Sequence, residues 1–181
     1  MHATWELFFA LLKDIACSKL PVAAALTGHS PAGGTVLAVC ADYRVLAEGP
    51  FLVGLNEVQV GLPVPEVLYR VLGHVVGWRQ AERLAVAGLL IGPAEALRVG
   101  LVDEVAPVAD VVPRAVAWAT ELLSRPAAAM AATRALARRS LHEAFDGVNP
   151  IMIDGLVDQW FSPETQAVMQ SLASRLAKKQ S

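Results

Sequence analysis

The run GLNEVQVGLPVP, from Gly54 to Pro65, carries a single charged group, the carboxylate of Glu57. Around it stand Phe51, Leu52, Val53, Leu55, Val58, Val60 and Leu62. Most charged side chains of soluble proteins are solvated, so a loop acid facing water is one reading of Glu57. The other is a carboxyl held in an apolar site. There the charged form is disfavoured, the pKa rises, and the group can act as base and acid near neutral pH. Spacing alone leaves both readings open.

The loop HSPAGG, from His29 to Gly34, is the second chemical feature. A glycine pair that opens a helix presents main-chain N–H groups with no Cβ in the way, and the helix end adds partial positive charge. Such a site can bind phosphate or hold a developing oxyanion. A plain tight turn is the alternative. No GK[ST] follows and GxGxxG is absent, which excludes a P-loop and a dinucleotide fingerprint. Ser30 lacks a GxSxG setting. His2, His74 and His142 are scattered without metal-ligand spacing, so no metal is expected. His74 is expected in the core or at its boundary. Cys17 and Cys40 form no CxxC pattern and read as buried thiols of a reducing compartment. Arg134, Arg138, Arg139, Arg175, Lys178 and Lys179 read as solvated helix faces.

The elements that must position these residues are legible in outline. The chain has 181 residues, a net charge of −2, 55% hydrophobic and 18% charged residues. That suits one domain with a sizeable core and gives no electrostatic footprint for nucleic acid or an acidic membrane surface. No apolar run is long enough for a transmembrane helix. The apolar surplus implies a subunit interface or a missing part of the domain. The start of the chain is apolar but carries Glu6 and Asp14, so it reads as a domain helix rather than a signal peptide, with Trp5, Phe8, Phe9, Leu11, Leu12 and Ile15 on its apolar side. Strands are expected at Pro21–Gly28, Tyr43–Gly49, Phe51–Leu55 and Leu101–Pro107. A buried helix should follow Gly33-Gly34. Two helices should meet near Gly77, another should start at Pro93, and residues 109–181 should be helical, with a cap at Ser162.

At this point two blocks carry a family resemblance. PVAAALTGHSPAGGTVLAVCADYRVLAEG resembles the core signature of the crotonase superfamily, the enoyl-CoA hydratases and isomerases. AERLAVAGLLIGPAEALRVGLVDEVAP resembles its second block. The resemblance implies an α/β fold, a crotonase-like (ClpP/crotonase) spiral of ββα units. It would be N-terminally truncated, with a partial spiral core at residues 1–108 and a C-terminal helical trimerisation region at 109–181. It further implies an acyl-CoA substrate, with coenzyme A as part of the substrate and no other cofactor. A homotrimer or dimer of trimers is implied, without nucleic acid or membrane insertion. The location would be the cytoplasm in a bacterium or the mitochondrial matrix in a eukaryote.

Hydratases of the family use two carboxylates, and the position of the first is Val36 here. The second matches Glu57, and GLNEVQVGL is similar to the segment found in mitochondrial-type Δ3,Δ2-enoyl-CoA isomerases of fatty-acid β-oxidation. The resemblance thus implies Glu57 as a single base and the Gly33 N–H as an oxyanion donor. Substrate contacts are implied at Pro31, Ala32, Gly34, Leu55 and Leu62. Family members are longer at the N-terminus, where they carry the first strands, part of the CoA site and a second oxyanion donor. The 181-residue chain is therefore expected to be a poor catalyst by itself. A non-catalytic crotonase-fold subunit or binding module, or another crotonase reaction such as hydration or thioester hydrolysis, is the alternative.

Overall fold

A computed structural model of the chain describes residues 1–179, with side chains as far as Ser174. The first helix, α1 (His2–Ala16), buries Phe9, Leu12 and Ala16. Leu11, expected on the same side, faces outward with Leu7. At 100° per residue these two fall opposite the Phe9–Leu12–Ala16 stripe.

Strands β1 (Ala23–Leu26), β3 (Tyr43–Ala47) and β5 (Glu104–Ala106) form one parallel sheet in the order β1-β3-β5. Parallel neighbours need a crossover. The helix α2 (Gly33–Val39) supplies it between β1 and β3. Burial of Arg44 through Ala47 is continuous, as expected of a strand covered on both faces. One cover is α6 (Val111–Leu123), whose Val111 and Ala115 pack on Val45, Ala47 and Ala106. The other is the main core, where Leu26 and Leu46 join Leu12, Val36 and Val39. A second parallel pair joins β2 (Ser30–Pro31) to β4 (Val53–Gly54), and Val53 also bridges Ile91 in antiparallel sense. Each of the four expected strands is shorter than the sequence suggests, and β2 falls in the run read as a tight loop. A ladder persists only where a partner lies in register, and the apolar flanks outside it serve the core as loops.

Beyond β4 the helices follow the expected punctuation. α3 (Glu66–Val76) and α4 (Trp78–Val86) meet at Gly77, and α5 (Pro93–Arg98) opens on Pro93. After α6 come α7 (Ala127–Ala137), α8 (Arg139–Ala144), α9 (Pro150–Trp160) and α10 (Pro163–Lys179). Asn149 caps α9 through its Oδ1 and the Met152 N–H, 3.0 Å apart. Ser162 caps α10 through its Oγ and the Thr165 N–H at 3.2 Å. α8 packs on α3 and α9 on α1, and Leu141, Phe145 and Leu156 share one core cluster with Phe9 and Leu72. Residues after 108 thus continue the core built by those before it.

Two of the basic residues read as solvated are not: Arg138 is buried and Arg134 is half-buried. Arg134 makes a bidentate pair with Asp42, at 2.7 and 2.8 Å, and donates to the Ser18 carbonyl. Arg138, 6% exposed, donates to the carbonyls of Ala16, Cys40 and Ala41 and pairs with Asp42. Ala16 ends α1 and Cys40 caps α2, so one guanidinium satisfies carbonyls at two helix C-termini, where a cation is favoured. Arg139 is exposed as expected, and Arg175, Lys178 and Lys179 lie outside the described side chains. His74 is at the surface rather than in the core, its Nδ1 3.3 Å from Ser140 Oγ. Cys40 is buried, which pushes its thiol up to about 12, and Cys17 is partly buried. Among the described residues no helix is long and apolar enough to cross a membrane, and no cluster of three or more His, Cys, Asp or Glu could hold a metal.

Candidate active site

Glu57 opens a 3-10 turn, Glu57–Val60, which Gly61 closes at φ 78°. The turn is fixed from three directions. Gln59 Nε2 donates to the Gly88 carbonyl at 2.7 Å, beyond the end of α4. From α9, Gln159 Nε2 donates to the Gly61 carbonyl at 3.1 Å. The fully buried Thr165 of α10 donates to the same carbonyl at 2.7 Å. The helical tail thus orients the segment that carries the carboxyl.

The glycine loop faces it from α2. Ala32 precedes Gly33 at φ 47°, ψ −116°, a conformation that L-residues rarely adopt and that costs about 1–3 kcal/mol. The strain turns the chain sharply into the helix, leaving Gly33 at its first position, where an N–H has no intrahelical acceptor. A Cβ placed on Gly33 would meet nothing within 4 Å, so this backbone borders open space.

Glu57 and Gly33 line the same cavity, of about 570 Å³, bordered by α1, α2, the Glu57–Val60 turn, α3, α9 and α10. Its walls are apolar. Trp5, Phe8 and Trp160 contribute aromatic faces, with Trp5 edge-to-face on Trp160 at 6.1 Å, and Val36 and Leu62 add aliphatic ones. Among the described residues Glu57 is the one ionisable side chain in this lining. Burial pushes its carboxyl above the usual carboxylate range, opposed in part by its own main-chain N–H. Glu57 Oε2, Asn56 Oδ1 and Trp5 Nε1 are all buried without a hydrogen-bond partner among the described residues. Such groups are expensive to leave unpaired and call for an explanation in ligand binding or catalysis. An apolar cavity with a few unpaired polar atoms is the usual form of a small-molecule site.

Of the residues singled out by sequence, Glu57, Gly33, Ala32 and Leu62 line this cavity together. Three others lie elsewhere. Pro31 is exposed in β2, Gly34 borders a separate groove along β1, and Leu55 is packed in the core at 1% exposure. Sequence reasoning missed Asn56, Trp5 and Trp160 as wall residues. Asn56 adjoins Glu57, but nothing local marks its oxygen as unpaired. The two tryptophans meet from helices more than a hundred positions apart.

Comparison with known proteins identifies the family and the fold. The family described as Enoyl-CoA hydratase/isomerase matches residues 1–150. Human mitochondrial enoyl-CoA delta isomerase 1 is 38% identical over 137 residues, which is 75% of this chain and 45% of that protein. A probable enoyl-CoA hydratase of Mycobacterium avium is 36% identical over 122 residues, 67% of this chain and 47% of that one. The chain thus spans about half the length of the curated relatives it matches. The crystal structure of human mitochondrial Δ3-Δ2-enoyl-CoA isomerase superposes with a TM-score of 0.92 at 31% identity, covering 99% of this chain and 70% of that one. The spiral α/β architecture expected from the two sequence blocks is therefore the observed fold, and the chain belongs to the enoyl-CoA hydratase/isomerase family.

Proposed function

We propose that the protein acts on acyl-CoA thioesters as an isomerase, moving the double bond of a 3-enoyl-CoA to the 2-position with Glu57 as the only base. The observation that carries this reading is the unpartnered, buried Glu57 Oε2 in an apolar cavity whose wall includes Val36. Adding water across a double bond calls for a second acid–base group. Among the described residues this lining holds no ionisable side chain besides Glu57, with Val36 where a hydratase of the family would carry its other carboxylate.

In the proposed reaction the Glu57 carboxylate removes a proton from C2, next to the thioester carbonyl. The C–H electron pair moves into that carbonyl, giving a dienolate. Its oxygen accepts a hydrogen bond from the Gly33 N–H, an interaction that strengthens as charge develops and so favours the transition state. The protonated Glu57 then returns the proton at C4, leaving the double bond between C2 and C3. No atom is gained or lost. The apolar wall serves both half-reactions. It raises the carboxyl's proton affinity, and it disfavours the ordered water that would hydrate the product. β-Oxidation of unsaturated acyl chains is the setting that fits this reaction.

The test is incubation of the purified protein with a 3-enoyl-CoA while following the absorbance of the conjugated 2-enoyl thioester. Conversion without accumulation of 3-hydroxyacyl-CoA is expected. Hydration as the main reaction, or no conversion by either this chain or a version extended at its N-terminus with a family-like segment, would overturn the reading.

A further inference from the structure

One buried hydroxyl joins the glycine loop to the segment that leads to Glu57. Thr35 is 2% exposed, in the first turn of α2, two residues after Gly33. Its Oγ1 donates to the Ser30 carbonyl at 2.6 Å and accepts from the Gly54 N–H at 2.8 Å. Ser30 lies three residues before Gly33, and Gly54 three residues before Glu57. The same two segments are joined by main-chain bonds from Ser30 to Leu52, 3.0 Å, and from Ala32 to Gly54, 2.9 Å. The far side of β4 is clamped as well. Val53 and Ile91 exchange N–H···O bonds of 3.1 and 2.9 Å. Gly54 sits at φ 147°, and a Cβ there would run into the Leu89 carbonyl. The chain that carries the carboxyl is therefore fixed on one side by Ile91 and on the other by Thr35.

We propose that Thr35 is a positioning residue for the reaction, its hydroxyl setting the separation between the Gly33 N–H and the Glu57 carboxyl. This rests on the isomerase reading for its chemistry. The need for a gauge follows from the fold. Gly33 and Glu57 belong to separate segments. While Gln59, Gln159 and Thr165 hold the far end of the Glu57 turn, the direct link between the two segments is a β2–β4 pair only two residues long on each side. A pair that short has few bonds with which to resist sliding. The hydroxyl adds a side-chain bond on each strand and, being β-branched, holds them from a stiff χ1. Thr35 is not among the residues that line the cavity, and among the described residues its hydroxyl bonds only the Ser30 carbonyl and the Gly54 N–H, so its effect is on geometry alone.

The experiment compares Thr35→Val, which keeps the shape and removes the hydroxyl, with Thr35→Ser, which keeps the hydroxyl. Val should lower kcat by about 10- to 100-fold, the usual cost of a misplacement on the order of 1 Å, with KM within about threefold. Ser should recover most of the loss. Each variant is also assayed for exchange of the C2 proton of a saturated acyl-CoA into D2O. That exchange needs the base and the oxyanion donor but no double-bond shift. If the wild type exchanges C2 protons and does not isomerise, the isomerase reading fails while exchange still reports on Thr35. Should Val not fold, Thr35→Cys takes its place, with a thiol that bonds only weakly, and should be slower than Ser. The proposal is overturned if Val or Cys retains wild-type kcat and exchange. It is also overturned if Ser loses as much as Val, or if loss of the hydroxyl prevents folding in every variant, which would make the group structural.

Discussion

At the scale of single residues, burial leaves the Glu57 carboxyl poorly solvated. Glu57→Gln keeps the shape and cannot take a proton, so isomerase turnover should fall by about 100- to 10,000-fold. For the wild type, kcat/KM should rise with pH as Glu57 ionises, with a midpoint above the ordinary carboxylate value of 4.5. Stability should run the other way. Burial raises the carboxyl's pKa in the folded state, so between the unfolded and folded values the folded chain binds more protons than the unfolded one. Stability therefore falls as pH rises through that window. Glutamine has no proton to lose there. The variant should melt at a higher temperature than the wild type above the window, and the difference should vanish in acid. Thermal melts of both chains from acid to neutral pH check this, and parallel curves would mean that the carboxyl is well solvated. Glu57 stood out in sequence as a lone acid in an apolar run, but that pattern left a solvated loop acid open as well, and only the family resemblance pointed to a base. Asn56, Trp5 and Thr35 did not stand out, since each acquires its role from a contact with a distant part of the chain.

At the scale of elements, local signals served where local physics decides. Pro93 starts α5, Gly77 separates α3 from α4, and Ser162 caps α10, each through a backbone preference written in its own residue type. The strand ends and the buried arginines escaped. Arg138 reaches carbonyls 97 to 122 positions away, and nothing in the helical pattern near it tells a guanidinium that caps two helices from one that faces water. These helices depend on Asp42, whose side chain also accepts from the Val22 N–H at 2.8 Å. Asp42→Asn would leave the buried Arg138 and the half-buried Arg134 beside a neutral partner. Breaking a buried pair in this way costs about 3–5 kcal/mol, so urea unfolding of the variant should show a loss of that order. A loss under about 1 kcal/mol would mean that the network behaves like a surface pair.

At the scale of the molecule the surplus of apolar residues reappears as uncovered helix surface. Helix α7 is the clearest case. Its eleven residues include none that is buried, although the helix is rich in alanine and carries Leu136 at 62% exposure. Helices this short are marginal in water by themselves, and most helical stability in proteins comes from packing an apolar face. What ties α7 to this chain is mainly Arg134, bound to Asp42 and Ser18, with Arg138 at its C-cap. Those bonds place one side of the helix and leave its alanine face open. Further valines at positions 112 and 116 of α6 lie one turn apart at 51% and 59% exposure. We expect α7 to be covered by another copy of the chain, in a homotrimer or a dimer of trimers. Closed symmetry would bury the same helix in every subunit and leave no face open to further growth. Sedimentation at micromolar concentration should then give a trimer or hexamer. Leu136→Asp should shift the population toward monomer, since loss of one buried leucine removes about 1.5–3 kcal/mol per contact. That corresponds to a weakening of about 10- to 100-fold at each interface. A wild-type monomer would refute the assembly. An intact oligomer in the variant would move the contact from α7 to another of the exposed apolar faces, with the valine stripe of α6 the next to substitute.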